Sequence, residues 1–84
     1  MNMPEQPYQP IDCDYYDRLE AWATMRTPCL LVFLDEKGVQ QEVSGLIADL
    51  YVVNKAEYLR MDNGLTVRLD RLLAVNGVPV PGTC

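Results

Sequence analysis

The chain has 84 residues, 49% of them apolar, and twelve acids against seven bases give it a net charge of −5. That length allows one core and excludes two, and that apolar fraction excludes a disordered chain. The acid excess disfavours direct contact with phosphate backbones and anionic membranes and favours basic partners, and no run approaches the roughly 18 apolar residues that span a bilayer.

The opening segment holds Pro4, Pro7 and Pro10, each without a backbone donor, so residues 1–13 are expected to form an extended arm. It has neither a basic leader nor an apolar signal core, and a cytoplasmic location follows as the expectation. The three cysteines, Cys13, Cys29 and Cys84, stand at no metal-ligand or redox spacing. They are expected to be reduced thiols, with Cys29 a small core hydrophobe.

Next comes the stretch DCDYYDRLE, residues 12–20, with four acids and one base. Residues 1–24 carry five acids against Arg18 alone, whereas residues 25–84 carry seven acids against six bases. Most of the net charge therefore lies in the first 24 residues. A helix is expected over about 14–25, with Asp12 or Asp14 as N-cap and Asp14 to Asp17 at capping-box spacing. Carboxylates at this end also complement the helix dipole. At 100° per residue, Tyr15, Leu19, Trp22 and Ala23 share an inward face with Tyr16 beside them, and Asp14, Asp17, Glu20, Ala21 and Thr24 share the outer one. Tyr15 and Tyr16 suit either the edge of the core or an interface. Thr27-Pro28 stops the helix, because proline restricts the residue before it.

From Pro28 on the pattern is β. Cys29–Leu34 is a continuous apolar run, as in a buried strand. Asp35-Glu36-Lys37-Gly38 is a turn, Ser44-Gly45 a bulge or bend inside a second strand, and Asn54-Lys55 a further turn. Glu57–Met61 alternates, Asp62-Asn63-Gly64 is the strongest hairpin signal, and Val67 and Leu69 face opposite to Thr66 and Arg68. Asp70-Arg71 connects tightly to Leu72–Val75, and the tail is expected to loosen after Val78. One helix followed by about five short, bent antiparallel strands describes a mainly β fold, a small Sm-like or SH3-like barrel, with residues 14–78 as the domain and 79–84 as a flexible tail.

The chemistry-bearing residues are sparse. With no histidine and a single serine, Ser44, the Ser/His and Cys/His catalytic arrangements are excluded, and no glycine-rich phosphate loop is present. Asp12, Asp14 and Asp17 lack the glycine and distal acid of a calcium loop and would diverge on a helix, so neither metal nor cofactor is expected, nor an enzyme. The helix acids have no lysine four residues on, and Asp17 and Glu20 no base of either kind there, which sets those two apart from an ordinary solvated face. A binding role for that face is the reading they favour.

Tyr8-Gln9-Pro10-Ile11-Asp12-Cys13-Asp14, followed by Tyr16-Asp17 and Leu19-Glu20, resembles the opening signature of the Rof (YaeO) family of Rho-binding antiterminators. Glu57-Tyr58-Leu59 and Arg68-Leu69-Asp70-Arg71-Leu72 fall where that family has similar strings, and the likeness covers most of residues 8–76. The resemblance implies an N-terminal helix on an Sm-like barrel. It also implies inhibition of the bacterial transcription terminator Rho, by covering the primary site that captures nascent RNA in its N-terminal domain. The residues it carries over are Asp14, Tyr16, Asp17 and Glu20. Tyr15 stands where some members have a further acid, and the loop at Asn54 and Lys55 is a candidate second contact. A protein of this kind is expected to be a monomer when free and to bind no nucleic acid directly. The alternatives are an Sm-like RNA-binding module, or an acidic adaptor or nucleic-acid mimic for another basic protein.

Overall fold

The computed structural model describes residues 11–81. Helix α1 spans Cys13–Thr24. Its N-cap is Asp12, whose carboxylate accepts the backbone N–H of Tyr15 at 3.1 Å, so the cap lies two residues before the Asp14–Asp17 spacing that resembled a capping box. The helix ends before Pro28 is reached. Thr27 N–H donates to the Trp22 carbonyl and Arg26 N–H to that of Ala23, a Schellman closure with Arg26 at φ 54° in the position glycine usually fills.

Seven strands follow: β1 Cys29–Leu34, β2 Gln40–Gly45, β3 Ile47–Val53, β4 Ala56–Met61, β5 Thr66–Arg68, β6 Leu72–Val75 and β7 Val78–Pro79. All pair antiparallel, in a four-stranded sheet of order β2-β1-β6-β7 and a three-stranded sheet of order β3-β4-β5. The expected second strand is thus two, since the chain changes sheets at Leu46. Glycine suits the corner, because a Cβ on Gly45 would come within 2.8 Å of the Asp62 carboxylate.

The turns explain the registers. Asn54 and Lys55, at φ 50° and 67°, make the two-residue mirror-image turn that matches strand twist and sets Val53 opposite Ala56. At the next hairpin, Gly64 N–H donates to the Met61 carbonyl and Met61 N–H to that of Leu65. Asn76 and Gly77, at φ 53° and 79°, form a hairpin that brings β7 back onto β6. That last turn anchors the first residues of the expected tail. Val80 N–H donates to the Leu73 carbonyl, and Val80 packs against the core. At the other end, Ile11 is buried, so the packed unit begins before residue 14. The rest of the proposed arm and residues 82–84 lie outside the described residues.

The core fills the space between the sheets and under the helix. Leu19, Leu31, Leu59, Leu69 and Val75 are fully enclosed, with Phe33, Ile47, Met61, Val67 and Leu72 around them. Trp22, expected on the inward face, packs against this core but is half-buried at its margin, edge-on to Tyr15 with ring centres 6.2 Å apart. The Cα radius of gyration is 12.4 Å, close to the roughly 12 Å of a compact chain of this length. Cys29 is a free buried thiol, as expected. Cys13, expected reduced, is disulfide-bonded. Among the described residues, no helix is long and apolar enough to cross a membrane.

Candidate functional site

The outer face of α1 is built by the cap and by periodicity. Asp12 starts the helix, which sends Tyr15 and Leu19 inward at 3% and 0% exposure. Asp14, Asp17 and Glu20 then follow outward, and all three are exposed. None of the three makes an ion pair among the described residues. Arg18, the one base on the helix, is exposed among them. Unpaired carboxylates of one sign on a rigid element concentrate negative potential and leave it for a partner to neutralise.

The two tyrosines take different roles. Tyr15, included among the candidate contacts, belongs to the core. Its hydroxyl donates to the Val78 carbonyl at 2.6 Å and accepts the Val75 N–H at 3.1 Å, tying the helix to the β6–β7 hairpin. Burial raises its phenol above the ordinary value against the opposing pull of the Val75 N–H. Its ring and hydroxyl are occupied inside the fold and offer nothing to a partner. Tyr16 is half-buried and packs against the core from outside. Its phenol is also raised, first by burial and then by the carboxylates of Glu57, Glu20 and Asp49.

Those neighbours enlarge the site. Helix α1 packs beside β3, and a shallow groove of about 310 Å³ runs between them, lined by Glu20, Ala23, Thr24, Ala48, Asp49 and Leu50. Asp49 stands 3.8 Å from Arg60 across the strand pair, both side chains about half exposed, a contact worth under about 1 kcal/mol. The negative surface therefore passes from Asp14, Asp17 and Glu20 across Tyr16 to Asp49 and Glu57. Sequence reading missed the last two, since each is a lone acid in a strand and only the packing of α1 on β3 brings them near the helix.

Asn54 and Lys55 are exposed at the tip of the β3–β4 hairpin. They serve the turn by their positive φ. On the outer side of the same hairpin, Tyr51 and Tyr58 stack with ring centres 5.5 Å apart. Among the described residues, no group of three acids, cysteines or histidines could hold a metal ion. No protein-family model matches the chain, and no curated protein matches it.

Proposed function

We propose that this chain is a protein inhibitor of the transcription terminator Rho, docking the outer face of α1 on the basic surface where Rho's N-terminal domain captures RNA. The observation that carries this reading is the set of exposed, unpaired carboxylates at Asp14, Asp17 and Glu20, continued over the β3–β4 surface. A site that holds RNA is lined with cations, and carboxylates on a rigid helix can satisfy them in place of phosphates. Tyr16, half-buried beside the acids, supplies ring area that a partner can cover at small entropic cost. In this reading the two sheets are the halves of an Sm-like barrel bent at Ser44–Leu46, and the protein acts by occupying a site, without catalysis of its own.

One observation favours the alternative of an RNA-binding module. The Tyr51–Tyr58 stack lies across β3 and β4 in a sheet that also carries Arg60 and Arg68, and stacked aromatics beside arginines suit single-stranded RNA. Arg60 faces Asp49, however, and Arg68 is held by Asp70 at 2.7 Å, so both cations already face acids. The acid excess of the whole chain also opposes phosphate.

The test titrates the protein into Rho carrying labelled pyrimidine-rich RNA, with wild type and Asp17→Lys in parallel. Wild type should displace the RNA. Asp17→Lys should lose about 2–5 kcal/mol of binding if Asp17 is enclosed against a cation, and nearly nothing of stability, because Asp17 points to solvent. Displacement by both proteins alike, or by neither, rejects the helix as the inhibitory surface. Direct, salt-sensitive binding of the RNA by this protein would support the alternative.

A further inference from the structure

At the far end of β1 from the helix, the two sheets part around a cleft of about 370 Å³. One wall is the end of β1 and its turn, from Phe33 to Lys37, and the other is Leu65, β5 and Arg71. Its volume falls in the lower part of the range typical of small-molecule sites, about 300–1,000 Å³. Its base is apolar. Phe33 and Val67 are buried, and Leu34 and Leu65 are half-buried beside them. β5 is the last strand of its sheet, so no further strand closes the cleft on that side among the described residues.

The rim is rich in bases for so acidic a chain, although Asp35 and Glu36 line it too. Three of the seven bases, Lys37, Arg68 and Arg71, line this one cleft. Arg68 is committed to Asp70 at 2.7 Å, both largely enclosed. Lys37 and Arg71 form no ion pair among the described residues. Arg71 is nonetheless held in place, because Nη1 donates to the Asp35 carbonyl at 3.1 Å. One such bond orients the planar guanidinium and leaves most of its five N–H donors for a guest. The acids of the turn compete less than their number suggests. Asp35 turns its carboxylate to the N–H groups of Lys37 and Val39, at 2.8 and 2.9 Å, and to the Gln41 amide at 3.0 Å, while Glu36 is exposed.

We propose that this cleft binds a small organic anion, an apolar ring-sized body seated on Phe33, Leu65 and Val67 with its carboxylate or phosphate group held by Arg71 and Lys37. The site is separate from the acidic helix face and stands whether or not that face binds Rho. The body supplies area removed from water, and the anion supplies charge-assisted hydrogen bonds that a neutral ligand of the same shape lacks. Carboxylates and phosphate monoesters share this chemistry, and the experiment separates them.

The experiment follows backbone amides by NMR while phenyl phosphate or benzoate is added to the full chain, with benzyl alcohol and inorganic phosphate as controls. Saturable shifts are expected at residues 33–39 and 65–71 for at least one of the two ring-bearing anions. Binding by phenyl phosphate alone would assign the site to phosphate esters, and binding by benzoate to carboxylates. Each control should bind roughly tenfold more weakly or worse, as loss of one charged hydrogen bond or of the apolar body predicts. Arg71→Gln, which removes the charge and keeps a polar amide, should weaken the better anion by a similar factor. Lys37→Glu lies on an exposed turn and should do the same without touching the core, so it decides the matter if Arg71→Gln disturbs the fold. Shifts that never saturate, that map elsewhere, that benzyl alcohol reproduces at equal strength, or that survive Lys37→Glu unchanged would overturn the proposal.

Discussion

Along α1, Tyr15 and Leu19 face the sheets at 3% and 0% exposure, while Asp14, Asp17 and Glu20 alternate with them and face solvent. The inner residues are explained by their contacts: Leu19 fills the core, and the Tyr15 hydroxyl joins the helix to β6 and β7. The outer acids have no such account, since none of them forms an ion pair among the described residues. Asp12 shows the contrast within one residue type, because its carboxylate caps the helix and so earns a structural role that Asp17 lacks. Charge that the fold does not use is where an outside partner is to be sought.

The largest expected difference between the two faces is in stability. Leu19→Ala removes a fully enclosed side chain and should cost about 2–5 kcal/mol, a large share of the stability of a domain this small. Asp17→Ala should stay within about 0.5 kcal/mol of wild type. Urea denaturation of the two variants measures both. If Asp17→Ala proved as damaging as Leu19→Ala, the assignment of the faces would fail.

The adjacent tyrosines sharpen the same contrast. Tyr15→Phe removes both the donor to the Val78 carbonyl and the hydroxyl that accepts the Val75 N–H, at a side chain that is buried. It should cost about 1–3 kcal/mol. The Tyr16 hydroxyl makes no hydrogen bond among the described residues, and Tyr16→Phe should change stability by under about 0.5 kcal/mol. Equal losses in thermal unfolding would mean that the Tyr15 clamp contributes little.

How much of this was legible in the chain depends on whether the cause is local. The 3.6-residue period gave both helix faces, and Asp62-Asn63-Gly64 gave its hairpin, since both signals are contained in a few consecutive residues. Asn76-Gly77 carries the same kind of turn signal, but the prolines after it suggested a loose tail, and Val78–Pro79 pair all the same because β7 is an edge strand where proline is tolerated. Trp22 shares the inward arc with Leu19 and yet sits at the core's margin, because periodicity gives direction and not depth. Asp49 and Glu57 joined the candidate surface only through the packing of α1 on β3, and the cleft between Phe33 and Arg71 only through the parting of the sheets. Neither has a signal in consecutive residues.

A smaller effect tests the second candidate contact. Lys55 holds φ 67° in the β3–β4 turn, a region that costs a residue with a Cβ more than it costs glycine. Lys55→Gly creates Asn-Gly, the preferred pair for this turn, and should stabilise the fold by about 0.5–1 kcal/mol. If the loop also touches the partner, the same variant should be more stable in denaturant and weaker in RNA displacement. Unchanged displacement would confine the binding surface to the helix and its groove.

The smallest effect compares a carboxylate used by the fold with one that is not. Asp35 accepts from the Val39 and Lys37 N–H groups and from Gln41. Those bonds, the Val39 N–H foremost and the Arg71 guanidinium last, hold its carboxyl below the ordinary 3.8. Below that ordinary value the unfolded chain takes up a proton that the folded chain resists. Stability from Asp35 is therefore fully present above about pH 3.8 and is lost as pH falls through the depressed folded value. Asp35→Asn keeps an acceptor for the turn but cannot titrate, so its unfolding free energy should fall less steeply on acidification than wild type's. Asp17→Asn removes one charge of the same kind from the helix face and controls for net charge alone. A slope changed equally in both variants would trace the acid sensitivity to overall charge and not to the turn that Asp35 holds closed.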